Sequence, residues 1–584
     1  MTEKKLATLN ESNKNSANLK ETKESKNKIA ALKEDKDSKN RFSTLKEKKY
    51  FTDILFLLIV FFIGITTSFS YGKYLDEQIE KGILYSNIYE YVLHVAPGSS
   101  LAADFAENEI IPIKDAVDRD HGVALYYPLF FIWEVEKSDM RTGSLIWHAY
   151  TFFLVFLGMV CLYFLIKDIF DDKFLAMASI GFFWLSPRIF AQSHYNNKDM
   201  VLLSAFLMIF YFGHRLSKKA NWLNTVMFAL CGAIAMNIKI VGAWPFGVMG
   251  IYALVRLIVN KKFDKKVLIK MFSCIALWAF FFVLLTPACF GGIVAFFLYL
   301  IKYALDYSRW NDFVLYNGIM LLHKVTGTPH KYLLRMIVIT TPVGFLLMAA
   351  LGFAGVGVKI ITKIKDADER GRAAEIIVLS ICGLVPMAFA VISGTHLYNG
   401  WRHFYFTYAS LTVLMVYGLY FFRGFFKKKQ MIPVIMACVY FLIVGVGIAD
   451  NFTREHSYYN FLAGKNVEER FELDYWDVSI YEVEKYIVNN ESGNVTVATL
   501  NNPTRWGIER NLELLTKEEN RKIMLTDDYE NADYLIINRT YAFMYSKDEF
   551  ERIKHDFRSV KKIVSYGNTV CEVYKRNENT EELE

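Results

Sequence analysis

Long apolar runs alternate with short charged islands along most of this chain. The runs begin near Phe51, His148, Phe174, Met200, Leu223, Val241, Val267, Met336, Ile376, Phe404 and Met431. A helix needs about 20 predominantly apolar residues to cross a bilayer, so the pattern predicts about eleven membrane spans. The connecting segments 167–173, 214–221, 260–266, 359–372 and 423–429 are nearly all rich in Lys or Arg, which assigns them to the cytoplasmic side. Alternation then puts 71–143, 186–199, a tight turn near Lys239, 290–334, 393–403 and everything after Asp450 on the other face. An odd number of spans sends the two tails to opposite sides.

The ends of the chain have a different pattern. Residues 1–50 are rich in Lys, Glu, Asn and Ser and nearly lack aromatics. Such a segment cannot bury enough apolar surface to offset its ordering entropy, so a disordered cytoplasmic tail is expected. The first apolar run starts too late for a signal peptide and has no small-residue cleavage site. Beyond 450, short β-rich runs at 495–500, 534–538, 563–566 and 570–574 alternate with polar helical stretches at 478–489 and 547–557. That alternation predicts a small α/β domain on the outer face. The expected organisation is a tail over 1–50, a membrane domain over 51–450 and an extracytoplasmic domain over 451–584.

Composition sharpens this reading. Of 584 residues, 53% are hydrophobic and 16% aromatic, while charged residues fall to 22%; mean hydropathy is +0.20. The net charge of +7 resides largely in the tail and short loops, so it reports topology rather than nucleic-acid binding. The seven cysteines form no CxxC pair and mostly sit inside apolar runs, where a thiol acts as a small hydrophobe. They suggest neither a disulfide framework nor a zinc site.

The unusual polar clusters all fall in predicted outer loops. Asp115, Asp118, Asp120 and His121 stand together before Gly122 and the Tyr126-Tyr127-Pro128 step. Carboxylates there can act as a general base or ligate a divalent cation; a solvated loop is the plainer alternative. Ser186-Pro187-Arg188 leads through His194 and Asn197 to Lys198-Asp199 at the lip of a span, a pair that either snorkels or serves a site. Lys239 lies between two apolar runs, where a cation usually faces a cavity or an anion. The segment 394–405 brings His396, Tyr398, Trp401, Arg402 and His403 to the outer end of a span. Arg and His donate well to phosphate oxygens, and Trp and Tyr suit sugar faces or the interfacial belt.

Taken in order, these stretches resemble the multispanning glycosyltransferases of the GT-C superfamily, in the branch of protein O-mannosyltransferases and lipid A aminoarabinose transferases. The resemblance extends from about 51 to 476. Asp118-Arg-Asp120-His-Gly122 is similar to the acidic first-loop motif, with His121 where tyrosine is commoner. The 186–199 stretch resembles the second-loop pattern, and Lys239-Ile-Val-Gly242 the Lys-x-x-Gly step. Tyr398-Asn-Gly-Trp401-Arg402-His403 resembles the late-loop Trp-Arg-His motif. His456 through Gly464, then Asp474-Tyr475-Trp476, is similar to that branch's exit from the last span.

The resemblance implies a GT-C fold and an inverting transfer from a polyprenyl-phosphate sugar to a protein, lipid or cell-wall glycan acceptor at the non-cytoplasmic face of a plasma membrane. It implies Asp120, ahead of Asp118, as base, and Asp199 as its support or as a placer of the acceptor. It assigns Lys239, Arg402 and His403 to the donor phosphate, with Trp401 and Arg188 in the substrate site. No Gly-rich loop opens a helix after a strand, so no nucleotide site is expected. A divalent cation is the one cofactor left open. The competing readings are a transporter or flippase of a lipid-linked or anionic substrate and a non-catalytic membrane scaffold. A transporter would place ionisable residues near the bilayer midplane and often show repeats; here the polar clusters gather at one face.

Overall fold

The computed structural model describes residues 51–305, 312–322, 325–362, 366–395, 397–426, 429–544 and 546–577. The expected tail over 1–50 and His396 of the late loop lie outside the described residues. The described residues divide into two compact units, one ending at Gly64 and the other beginning at Ile65. In the first, the described residues 51–64 begin the helix Phe51–Ser68.

Among the described residues, eight helices are long and apolar enough to cross a membrane: Phe51–Ser68, Met140–Phe170, Asp199–Lys218, Ile240–Val259, Lys265–Leu285, Val343–Ile361, Ala367–Ser393 and Met431–Asp450. The chain is a multi-pass membrane protein. The remaining predicted runs form the shorter apolar helices Lys173–Trp184 and Trp222–Ile238 and the helix Thr407–Phe425. Every predicted run is thus helical, with one change of boundary. The run opening near Met336 is split into Tyr332–Thr340 and Val343–Ile361, because Pro342 disfavours a helical residue before it and Thr341 is extended.

The membrane helices pack closely where glycine allows it. A Cβ on Gly418 would stand 1.9 Å from the Met348 carbonyl oxygen, and one on Gly352 would stand 2.0 Å from that of Leu414. The helices Val343–Ile361 and Thr407–Phe425 therefore touch backbone to backbone, the contact that small residues permit between membrane helices.

The segment 71–143, expected as a polar loop, is largely helical. It contains Glu77–Val95, Ser100–Glu107 and Ile132–Ser138. The 290–334 segment likewise carries the apolar helix Ile293–Leu305 and a hairpin of β1 (Phe313–Tyr316) and β2 (Ile319–Leu322).

The C-terminal α/β region has the helices Ile480–Asn490, Asn502–Leu512, Lys517–Asn520 and Lys547–Asp556. Its sheet contains β3 (Val495–Ala498), β4 (Ile523–Leu525), β5 (Tyr534–Asn538), β6 (Phe557–Ser565) and β7 (Asn568–Arg576), in the order β4-β3-β5-β7-β6. The β3–β4 and β3–β5 pairs are parallel; β5–β7 and β6–β7 are antiparallel. Side chains alternate across a strand, so β5 sends Ile536 to the core shared with Ile480, Val483 and Ile487, and Leu535 and Ile537 to the core shared with Ile553.

The carboxyl end of β5 faces the chain returning from the last membrane helix. Asn538 at the end of β5 donates to the Asp474 carbonyl at 2.9 Å and to the Asp477 carboxylate at 2.6 Å. The protein's own Asp474 and Asp477 thus pack against this end of the strand.

Candidate active site

Asp199 opens the helix Asp199–Lys218 and is almost fully buried. A carboxylate at that end is favoured by the helix dipole. The Asn196 side-chain oxygen accepts from the Asp199 backbone N–H at 2.9 Å, fixing the turn. One Asp199 oxygen accepts from the Lys239 ammonium. The other lies 3.6 Å from Nη1 of Arg402 and 3.5 Å from Nδ2 of Asn196.

Lys239 is delivered by a break between two apolar helices. It is extended, at φ −153° and ψ 142°, after Trp222–Ile238 and before a single turn over Ile240–Gly242. That turn folds back so tightly that a Cβ on Gly242 would be 2.2 Å from the Ala235 carbonyl. The Lys-x-x-Gly spacing is thus geometric: glycine allows the turn, and the turn aims the lysine.

Arg402 joins this cluster to a residue the sequence reading passed over. Its Nη1 lies 3.5 Å from Oδ2 of Asp76 as well as 3.6 Å from Asp199. Its guanidinium stands 4.9 Å from the Trp476 ring centre and 5.3 Å from that of Tyr398. Burial works against the charged form of Arg402, but Asp76, Tyr398 and Asp199 more than offset this and hold its pKa above the ordinary value. Asp76 precedes Glu77–Val95 at the N-cap position, yet its carboxylate makes no capping bond. It is turned to Arg402 instead and remains 35% exposed.

His403 is half-buried beside Arg402 and Lys239, and desolvation first, then those two cations, drive its pKa well down. It is a neutral imidazole at neutral pH and adds no charge for an anion. Its ring packs edge-on to Tyr398 at 4.6 Å. Lys198 reaches Glu80 at 3.3 Å, placing a second ion pair at the lip of the Asp199 helix.

The other expected residues have distinct positions. Arg188 stacks over Tyr459 at 4.6 Å and donates from Nε to the Tyr458 carbonyl at 3.2 Å; a Cβ on Gly400 would come within 3.3 Å of its Nη1. Trp401 is buried, donates from its indole to Thr340 at 2.8 Å and packs on Tyr405 at 4.6 Å, so it anchors the late loop. The indole over Arg402 belongs to Trp476, which also meets Tyr74 at 5.2 Å and Tyr195 at 6.0 Å.

Asp120 lies 3.8 Å from Nε2 of His121, and the Asp118 carbonyl accepts from the His121 N–H at 2.9 Å. Their segment leads to Gly122 and Ala124, both packed on Asn237, two residues before Lys239. Among the described residues no group of three or more His, Cys, Asp or Glu is placed to hold a metal ion. The divalent cation left open by the sequence therefore lacks a donor set among those residues.

A second charged cluster went unread. Lys81 contacts Glu77 at 2.7 Å, Glu136 at 2.5 Å and Ser144 at 3.1 Å. His148 reaches Glu77 at 2.8 Å, and Tyr85 donates to Glu136 at 2.5 Å. Burial opposes the Glu77 charge, but Lys81 and His148 outweigh it and hold the carboxyl well below its usual range. The signal available was Asp76-Glu77 opening a helical stretch directly after the first span, with Lys81 four residues beyond Glu77.

Residues 142–290 match the family model for dolichyl-phosphate-mannose-protein mannosyltransferase. The matched segment is about a quarter of the 584 residues; it contains Arg188, Asp199 and Lys239 and ends before Arg402. No curated protein sequence matches the chain. Among solved structures it is similar to ArnT from Cupriavidus metallidurans in the apo state, at 12% identity over 89% of this chain and 97% of that one, with a TM-score of 0.44. It is also similar to the same protein bound to undecaprenyl phosphate, at 12% identity over 90% and 98% with a TM-score of 0.41. A third is the arabinofuranosyltransferase AftD from Mycobacteria, at 12% identity over 90% of this chain and 40% of that one, with a TM-score of 0.39.

Proposed function

We propose that this protein is a polyprenyl-phosphate-dependent glycosyltransferase that moves a sugar, with inversion, to a protein, lipid or cell-wall glycan acceptor at the extracytoplasmic face. Residues 51–450 form its catalytic membrane domain, 1–50 its cytoplasmic tail and 451–584 its extracytoplasmic domain. The observation that carries the reading is a pair of buried donors without a partner beside Asp199: Nε of Arg402 and Nδ2 of Asn197. Buried donors are seldom left unpaired, and Asp199 brings Lys239 to the same place, so that two cations that suit a phosphodiester meet there. The family match over 142–290 supports the same chemistry.

In this reading Lys239 and Arg402 hold the donor phosphate at the membrane edge, and Asp199 fixes both cations in place. Trp476 and Tyr398 form aromatic walls for the sugar. The acceptor hydroxyl oxygen attacks the anomeric carbon as the bond from that carbon to the phosphate oxygen breaks. The acceptor's proton passes to a carboxylate, and the polyprenyl phosphate leaves with the electron pair, its added charge met by Lys239 and Arg402.

Asp76 is the base favoured by the geometry. It is the exposed carboxylate of the cluster, whereas both Asp199 oxygens face cations. Asp120 and Asp118, on the loop packed against Asn237, are the competing bases from the sequence motif. A mannosyl donor is the sugar that the family match suggests.

The test is turnover in nanodiscs with a panel of polyprenyl-phosphate hexoses. Wild type should transfer from at least one, and Asp76→Asn should lose about two to four powers of ten, the worth of a general base. An inactive Asp120→Asn beside an active Asp76→Asn returns the base to the first-loop motif. Absence of turnover across the whole panel would overturn the transferase.

A further inference from the structure

The strap between the first membrane helix and Asp76 is tied to the C-terminal part of the chain at successive residues. Tyr71 donates to the Glu455 carboxylate at 3.0 Å. A Cβ on Gly72 would lie 2.2 Å from the Val478 carbonyl oxygen and 2.7 Å from Oδ1 of Asn511. Lys73 pairs through its ammonium with Glu513. Tyr74 donates to Asn197 and packs on Trp476.

At the centre of the seam is one amide. Asn511, fully buried in the last turn of the Asn502–Leu512 helix, accepts from the Lys73 N–H at 2.8 Å. Its Nδ2 faces the carbonyls of Lys73 at 3.2 Å, Asp477 at 3.1 Å and Gly507 at 2.8 Å. Lys73 lies three residues before Asp76, and Asp477 follows Trp476 directly. The same helix comes so close that a Cβ on Gly507 would be 2.4 Å from that of Asp477, while Asn538 holds the Asp477 carboxylate from the end of β5. Asp76 and Trp476 are the two groups that approach Arg402 from these backbones.

We propose that Asn511 is a positioning residue for the transfer reaction: through the backbones of Lys73 and Asp477 it sets Asp76 and Trp476 against Arg402. The α/β region then acts on turnover, as the template for the site, rather than by capturing the acceptor. The required chemistry is specific. An amide supplies both the acceptor for the Lys73 N–H and the donors for the carbonyls. A carboxylate at 511 would keep the first and lose the second. This inference rests on Asp76 being the base.

The test compares Asn511→Ala, Asn511→Asp and Glu513→Gln in nanodiscs. The first readout needs no substrate: hydrogen exchange of the backbone amides at 71–76 should quicken at least about tenfold in Asn511→Ala, the effect of losing roughly 1.4 kcal/mol of local protection, and less in Asn511→Asp, which keeps the Lys73 N–H bond. The second uses whichever polyprenyl-phosphate hexose turns over in the donor panel. There, kcat should fall at least about 30-fold in both variants while donor KM stays within about threefold. Glu513→Gln, which alters the same seam but leaves the Asn511 bonds, should keep kcat within about twofold.

Unchanged exchange at 71–76 in Asn511→Ala overturns the proposal, as does wild-type kcat, or a kcat loss matched by Glu513→Gln. If Asn511→Ala does not fold, Asn511→Ser carries the same readouts. An active Asp76→Asn sinks the reading of Asp76 as base, whatever Asn511 does. An inactive Asp76→Asn beside a fully active Asn511→Ala sinks this inference alone.

Discussion

Replacing Arg402 tests the site most directly, because its charge and its shape can be removed separately. The guanidinium stands 3.5 Å from Asp76, 3.6 Å from Asp199 and 4.9 Å from the Trp476 ring centre, and its side chain is only 10% exposed. Lysine preserves the positive charge but loses the stacking plane and the Nε donor. Stacking on a desolvated indole contributes about 1–2 kcal/mol, and the lost donor brings the total to about 2 kcal/mol. That is about 30-fold in kcat/KM.

Alanine also removes the charge, leaving buried Asp199 to Lys239 alone. Breaking a buried pair from one side costs about 3–5 kcal/mol, toward the lower end here because Asp76 is 35% exposed. The expected loss is two to four powers of ten. The assay is donor kcat/KM for wild type, Arg402→Lys and Arg402→Ala in nanodiscs, with a thermal midpoint above the assay temperature in each as the check on folding. A lysine variant within twofold of wild type would refute the stacking argument. An alanine variant no worse than lysine would refute the role of the charge.

Burial pushes Glu455 up to about 8. A carboxyl whose folded pKa exceeds its unfolded value near 4.5 stabilises the fold below that value and ceases to do so as pH rises through 8, with a ceiling on the order of 5 kcal/mol; Tm should fall from pH 5 to 8, and Glu455→Gln should flatten the profile. Gly418→Ala forces apart two helices that touch at Met348, so it should lose roughly 1–3 kcal/mol by thermal unfolding, whereas Gly424→Ala meets nothing within 4 Å and should leave Tm unchanged. Lys81→Met leaves Glu77 to His148 and Glu136 to Tyr85 and should cost about 3 kcal/mol; adding Glu136→Gln should recover part of the lost Tm, and a strictly additive pair would argue against the network.

The membrane helices were legible because a bilayer-length apolar run has few other outcomes, and even the split at Pro342 follows a local rule. The α/β region was legible for β5 and β7, whose alternation spans two cores. It was not legible for β4, a strand over Ile523–Leu525 too short to show a period. The candidate residues Asp199, Lys239 and Arg402 could be picked out one by one as costly charges beside apolar runs. Their meeting is a long-range fact, with 40 residues between Asp199 and Lys239 and far more to Arg402. Asp76 was hidden by the opposite problem. In a segment already rich in carboxylates it had no contrast, and only its approach to Arg402 distinguishes it from Asp115 or Glu109.

The seam at Lys73 also bears on how the protein is made. Lys73 and Asn511 are separated by 438 positions, so the strap leaves the ribosome well before its partner exists. At about 5–20 residues per second, the interval is tens of seconds to more than a minute, during which every membrane helix through Met431–Asp450 is synthesised. A chain interrupted after that last helix would contain Asp76, Asp199, Lys239 and Arg402, already inserted, yet lack the amide that brings the strap to them. If Asn511 positions the strap as proposed, premature termination before it would leave membrane-integrated protein with turnover down at least about 30-fold, and full activity would report that translation had passed that residue.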